Sequence, residues 1–469
     1  MIHLISVIRM NGGEALDAVD EFSSVDPAIF TLSRTSANEV LYDGAAIEQE
    51  TGLECRLVMT ACWAPDHRLR WQAEFNEDLP PNLIYGSGDY SFILKSADAY
   101  ADTLLDKLDG FPTSNRTLRG SIGRSFLAGR SDQAASYVKI RWVNLADMGN
   151  GLPLDPPEGV AGHRWRGRQR WFMGDWEMVI DARPDLQDTI EELRESLGFA
   201  VTHLATLRRI DRTPFTPEEL EPALFAYQLA ASFALSRWAS PSLSAGVDNS
   251  GVVVWREWGS RRADKIKGVY RWWSRHLEPI EDIVARVGCR ALHPQWGMAA
   301  KLIIQGYLAS THGGFVEERI TVGFAALEQL GWQRNVTEDG ADEKQYDWGL
   351  SASKRLRMAL DAASVPLDVP ASLPLLQEFV TLHGNEKKEP LDGPNAVALV
   401  RHKLMHPKDP QILYGRKDLV TEAWQLLETY LQLLILHWIG YSGMVKDSVM
   451  LLNSTQTIWP APWPKSPAP

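Results

Sequence analysis

The sequence predicts an α+β protein, with a β-rich N-terminal region and accessory helices followed by an all-α helical bundle. Two observations carry this. Apolar and polar residues alternate with period two in many places up to about residue 183, and from Pro294 onward apolar residues recur every three or four positions almost to the end. The chain has 469 residues, enough for two or three domains. Its 45% apolar and 23% charged residues are those of an ordinary globular protein with a large core. The changes of period divide it into a β-rich domain (1–183), a helical and hairpin connecting region (184–284), a helical domain (285–455) and a Pro-rich tail (456–469).

In the first region Leu69, Trp71, Ala73 and Phe75 oppose Arg70, Gln72 and Glu74. Val138, Ile140 and Trp142 oppose Lys139 and Arg141, and Trp176, Met178 and Ile180 oppose Asp175, Glu177 and Asp181. Such alternation predicts antiparallel strands with one buried and one wet face. Leu186–Arg209 carries apolar residues three or four apart and predicts a helix. Thr216, Pro217 and Glu219 form a capping box opening a second helix that runs to about Trp238. Asp248–Gly251 turns a hairpin into Val252–Trp255, and the basic stretch Gly259–Val269 is a loop. Further helices are predicted over Trp296–Ser310, Val316–Trp332, Leu350–Ala362, Leu373–His383, Asn395–Met405 and Asp418–Ile439. An acidic linker, Glu338–Glu343, and a charged loop, Asn385–Asp392, separate some of them. The tail Trp459–Pro469 is proline-rich and extended.

The net charge of −12 disfavours a protein that grips nucleic acid with its whole surface. The acid is uneven: 30 Lys and Arg stand against 41 Asp and Glu in residues 1–284, and 18 against 19 in the rest. Cys55, Cys62 and Cys289 show no metal spacing and read as buried free thiols of a reducing compartment. Leu426–Ile439 is too short and too polar for a membrane span, and the expected location is cytoplasmic. No cofactor motif occurs: there is no P-loop, dinucleotide-binding glycine pattern, His-Glu-x-x-His helix or Gly-x-Ser-x-Gly elbow.

The segment Arg401-His402-Lys403-Leu404-Met405-His406-Pro407 concentrates the chemistry. On a straight helix Arg401 and His406 diverge by about 140°, but Pro407 disfavours the α conformation at His406 and puts it at or past the helix end. Spacing alone fits two readings. The first is a basic helix C-terminus stabilised by the macrodipole. The second is a phosphate-cleaving site, in which the guanidinium fork holds a phosphate and the imidazole moves a proton. Lys403, Lys408 and Arg416 add candidate phosphate contacts. Glu328, mid-helix among apolar neighbours, is placed to orient Arg401 or to form a structural ion pair. The run His163–Trp171 interleaves cations and aromatics, which fits a nucleic-acid stripe or an edge strand with a wet face.

Ala396–Pro407, with its Arg401 and His406 on a late helix of an all-α domain, resembles the signature of the HEPN superfamily (higher eukaryotes and prokaryotes nucleotide-binding). The stretch from Glu422 through Gly440-Tyr441-Ser442-Gly443 to Trp463 resembles the ends of bacterial proteins that join a β-rich N-terminal region to such a domain. His402 stands where that family usually has Asn. The resemblance, over about residues 292–463, implies a HEPN-like bundle and a metal-independent RNA endonuclease, a toxin or antiviral effector. Its catalytic residues would be Arg401, His406 and His402, and it would act as a homodimer through the C-terminal bundle. A regulatory protein or small-molecule trigger would act at the N-terminal region. The other reading is a non-catalytic HEPN-like module for binding or oligomerisation.

Overall fold

The computed structural model describes residues 38–63, 66–81, 83, 90–95, 102–105, 116–122, 126–129, 133–149, 151–155, 164–259, 261–266, 272–275, 279–312, 314–384, 390–452 and 456–464. The α+β class is observed, with sheets in the first half and helices in the last third. Contacts divide the chain into two units. Of the described residues, one holds those within 38–228 and 239–266, and the other those within 229–238 and 272–464.

The β-rich unit is built on two antiparallel sheets. The first contains β1 (Asn38–Glu48), β2 (Glu54–Cys62), β3 (Arg68–Phe75), β4 (Tyr90–Leu94), β5 (Asp102–Leu105) and β6 (Thr117–Ile122), in the order β5-β4-β1-β2-β3-β6. The period-two alternation is realised here: Leu69, Trp71, Ala73 and Phe75 are buried while Arg70, Gln72 and Glu74 are exposed. The second sheet has eight strands, β7 (Phe126–Gly129), β8 (Tyr137–Val143), β9 (Leu152–Leu154), β10 (Trp165–Met173), β11 (Trp176–Ala182), β12 (Val201–Arg209), β13 (Ser240–Val247) and β14 (Val253–Trp258). They lie in the order β7-β14-β13-β8-β12-β11-β10-β9. Val143, Val201 and Trp258 of the second sheet join the core of the first.

One predicted helix is not observed as such. Leu186–Arg209 is a helix only over Leu186–Ser196 (α1); Val201–Arg209 is the strand β12, paired on both sides by β11 and β8. Leu197 adopts φ 53° and Gly198 follows, so the chain leaves the helix there. Leu204 and Leu207 kept the apolar spacing going only by coincidence, and sheet pairing overrides it. The capping box is reciprocal as expected: Thr216 N–H donates to Glu219 Oε2 at 2.9 Å and Glu219 N–H to Thr216 Oγ1 at 3.4 Å, opening α2 (Pro217–Leu235). The hairpin turns at Asp248, whose Oδ1 accepts from the Ser250 and Val252 amides, with Gly251 at φ 83°.

The run through β10 is not on an edge strand, since β9 and β11 pair on its two sides. Arg168, 2% exposed, makes a two-point pair with Asp181, at 2.6 Å for both bonds. Arg170 and Arg208 share Glu177. Arg168 and Arg170 thus face acids on the neighbouring strand β11, which is buried along its whole length, whereas Arg166 is exposed and Arg164 pairs with Asp155 at the surface. His163 lies outside the described residues.

His203, on β12, is wholly buried with Nδ1 3.1 Å from Thr202 Oγ1. Burial, helped by the Arg183 charge, pushes its pKa down to about 3. The imidazole is thus neutral when folded, whereas the unfolded chain takes up a proton near pH 6.5. Stability contributed by neutral His203 is complete above that pH and is lost as pH falls toward about 3. We expect a loss of about 2 kcal/mol from this group between pH 6.5 and 5. Urea midpoints measured across that window should slope less in His203→Gln than in the wild type. His67 and His437, half-buried and both lowered to about 4 by desolvation, keep part of the slope.

The helical unit contains α3 (Ile280–Ala291), α4 (Gly297–Thr311), α5 (Val316–Trp332), a π-helical turn (Gln333–Glu338), α6 (Glu343–Gly349), α7 (Ala352–Ala362), α8 (Pro374–His383), α9 (Gly393–Met405), α10 (Gln411–Tyr414) and α11 (Leu419–Trp438). The acidic linker supplies an N-cap, because Asp342 accepts from the Gln345 amide at 2.7 Å. At Gly306 an added Cβ would lie 2.7 Å from the Ala326 Cβ, so glycine there lets α4 and α5 approach closely. Helix α11 is apolar on nearly every side and is buried on nearly every side within this one chain. Helices α4, α5, α8 and α9 pack around it. The tail is extended at Ile458–Pro460, pairs with Met444–Lys446, and then packs: Trp463 is buried and its Nε1 donates to Tyr441 O at 2.6 Å. Residues 465–469 lie outside the described set.

The core of this unit reaches upstream of the expected start at residue 285. Trp272 is wholly buried, with its ring centroid 5.1 Å from that of Phe233 and 5.8 Å from that of Tyr441. Phe233 also stacks edge-on against Tyr307 at 5.2 Å. A fragment beginning at Ala285 omits both Phe233 and Trp272. We expect it to lose fixed near-ultraviolet dichroism, and Trp272→Ala in the full chain to cost about 3–5 kcal/mol in denaturant titration.

Among the described residues no helix is long and apolar enough to cross a membrane, and no cluster of three or more His, Cys, Asp or Glu could hold a metal ion. Cys55 and Cys62 are buried free thiols, but Cys289 is exposed rather than buried. It sits near the end of amphipathic α3, on the side away from the apolar stripe Ile283, Val284 and Val287.

Candidate active site

Helix α9 carries the basic motif, and its start is firmly held. Asp392 caps it by accepting from the Asn395 amide at 3.0 Å. The same carboxylate receives two bonds from Arg357, at 2.8 and 3.1 Å. Asn395 in turn donates to the carbonyls of Pro390 and Gly384. Val397 and Val400 face inward. The helix therefore delivers its last turn to the surface in a fixed orientation.

Four residues of that last turn matter. Arg401 is half-buried and lies over the Phe324 ring, 5.4 Å from its centroid. Its nearest acid is Glu328, at 3.9 Å, beyond hydrogen-bonding reach. Glu328 is committed to Arg355, 3.2 Å away, which also pairs with Asp347 at 3.1 Å. Arg401 is thus oriented by ring stacking and only loosely by charge, and its Nε is buried with no hydrogen-bond partner. His406 caps the helix at φ −131°, ψ 70°, its amide donating to His402 O at 3.0 Å. Both imidazoles are exposed, and their ring centroids are 5.0 Å apart.

The structure brings together a different pair from the expected one. No hydrogen bond or ring contact joins Arg401 to His406. The helix runs regularly through Met405, and His406 leaves it as the C-cap. His402 and His406, four apart, share a face instead. Lys403 is half-buried beside them, and Lys408 is exposed beyond Pro407. Arg416 is engaged elsewhere, 3.2 Å from Glu378. Phe324 and Arg355 were not singled out from the sequence. Phe324 belongs to the apolar face of α5, and nothing in its spacing marks it as the platform for Arg401.

The matches to known proteins follow the same division of the chain. Residues 130–269 match the YopA central domain family, and residues 293–457 match the YopA C-terminal domain family. The chain is also similar to the SPbeta prophage-derived uncharacterized protein YopA of Bacillus subtilis (strain 168). The two are 24% identical over 336 residues, covering 69% of this chain and 71% of that protein. No solved structure matches. The YopA central domain match spans strands β8 to β14 with α1 and α2, and the YopA C-terminal domain match spans α4 to α11, so Arg401, His402 and His406 all lie in the latter.

Proposed function

We propose that the helical unit is a metal-independent RNA endonuclease in which His402 and His406 are the proton carriers and Arg401 is the phosphate clamp. The observation that supports this reading is the pair of exposed imidazoles with centroids 5.0 Å apart. Cleavage by the 2′-hydroxyl needs a base to take its proton and an acid to protonate the leaving 5′-oxygen. Two adjacent imidazoles offer both. Arg401, loosely held at 3.9 Å from Glu328, keeps its terminal nitrogens for the charge that grows on phosphorus. The bond from 2′-oxygen to phosphorus forms as the bond to the 5′-oxygen breaks, leaving a 2′,3′-cyclic phosphate and a 5′-hydroxyl.

This assignment agrees with the HEPN resemblance and gives His402 a larger part than the family's usual Asn. Both proton carriers come from one chain, so cleavage does not depend on a homodimer; the dimer implied by the resemblance would set two such sites side by side. A toxin or defence role, with the β-rich unit as sensor, is part of the proposal. One observation favours the second reading, a non-catalytic binding or oligomerisation module: Arg401 is packed on Phe324 with Nε buried, as a structural arginine would be. The rate of cleavage separates the two. His402→Asn should lower it about 10²-fold. A scaffold would show no cleavage at all, and a rate unchanged in His402→Asn would remove His402 from the chemistry.

A further inference from the structure

The β-rich unit holds a cavity of about 310 Å³ on the polar face of the eight-stranded sheet, lined by residues of β1, β8, β12, β13 and β14. Its floor is ordered by register. Arg256 is opposite Ala245, Ala245 opposite Lys139, and Lys139 opposite Thr206. Residues directly opposite across a sheet point to the same side. Arg256 and Lys139 therefore flank the small Ala245 from strands on either side of it, close enough for two long cations to meet over it. Among the described residues neither has an acid partner. At the cavity wall Arg141 pairs with Glu39 Oε1 at 2.6 Å, while Glu39 Oε2 is buried with no partner.

Two further observations point to a ligand. Ser244 lines the cavity, is 1% exposed, and its hydroxyl has no hydrogen-bond partner. Buried polar groups are ordinarily satisfied, so an orphan facing a cavity asks for an occupant. The strand that carries it is also irregular: pairing of β13 with β8 slips between Ser242 and Ala245, and Leu243 sits at φ 54°. Bulges and left-handed branched residues of this kind re-aim side chains at binding sites.

We propose that this cavity binds a phosphorylated small molecule of nucleoside-monophosphate size. Its phosphate lies between Lys139 and Arg256 above Ala245. Its apolar body rests on Leu41, Leu204 and Leu243, and an N–H or O–H of that body donates to Glu39 Oε2. The chemistry follows from the lining. Paired cations without acids call for a dianion, a lone carboxylate oxygen calls for a donor, and leucines call for a ring or aliphatic surface. The volume is at the small end of ligand sites, which suits a mononucleotide better than a dinucleotide. This inference goes beyond the nuclease reading and does not depend on it.

The test is calorimetric titration of the full-length protein with the four ribonucleoside 5′-monophosphates, with inorganic phosphate and adenosine as comparison probes. At least one monophosphate should bind, at least tenfold more tightly than inorganic phosphate or adenosine. The double variant Lys139→Met/Arg256→Met should weaken it at least tenfold, and Glu39→Gln should weaken it less, with thermal melts showing both variants folded. The RNA-cleavage residues should be irrelevant, so His406→Ala should bind as the wild type does. Failure of all four monophosphates to bind at millimolar concentration would overturn the proposal. So would equal affinity for inorganic phosphate alone, or binding indifferent to both sets of substitutions in folded protein. Loss of binding in His406→Ala would place the ligand at the helical site instead.

Discussion

Replacing His406 with Ala is expected to lower RNA cleavage by about 10²–10⁴-fold in excess chelator, with Arg401→Ala close behind. The two losses have different causes. His406 is an exposed imidazole at the helix cap beside His402, and without it one proton transfer falls to water. On the proposed reading Arg401 would make no proton transfer but would supply charge where the pentavalent phosphorus develops it, an effect worth about 3–4 kcal/mol. Arg401→Lys should recover little, because an ammonium lacks the planar fork and stacks less well on Phe324. Gel-based rate measurements on mixed cellular RNA, with DNA as the uncut control, check all three variants.

The second large effect is expected far from that site. Asp181→Ala should cost about 3–5 kcal/mol, because it leaves the Arg168 guanidinium buried without its two-point acid partner. Replacing both residues together with leucine should cost much less, since the charge and its desolvation penalty leave at once. Urea unfolding followed by tryptophan fluorescence reads both. A loss in the single variant no larger than in the double would mean that water or another group already serves Arg168.

Much of the fold was legible because burial imposes a period on the sequence. In β3 every second residue faces the core, and in α5 the stripe Ile320, Phe324, Leu327 and Leu330 does the same at helical spacing. The capping box at Thr216 was legible because two side chains must reach two amides at one fixed spacing. Three features were not legible, each for a tertiary reason. Leu186–Arg209 hid a strand because β12 is buried on both sides and so shows no alternation. Arg168 and Arg170 of β10 read as part of a wet or nucleic-acid-binding face because their acids come from β11, and the pairing Arg168 to Asp181 needs the register to be known. The core of the helical unit takes in Phe233 and Trp272, which no local periodicity assigns to it.

At the candidate site the residue types were legible and their grouping was not. Arg401, His402 and His406 were all picked out, yet the pair in ring contact is His402 with His406. The contact follows from their four-residue spacing on a helix. The cations Lys139 and Arg256 were missed because alternation labels them as merely wet. Only the register, which places both beside Ala245, shows them facing a common space.

The most direct measurement is the end-group chemistry of RNA incubated with the full-length protein in excess chelator. The account predicts 2′,3′-cyclic phosphate and 5′-hydroxyl ends, absent when His402 and His406 are both replaced by Ala. Cleavage that requires added magnesium, that leaves 5′-phosphate ends, or that persists in the double variant would contradict it.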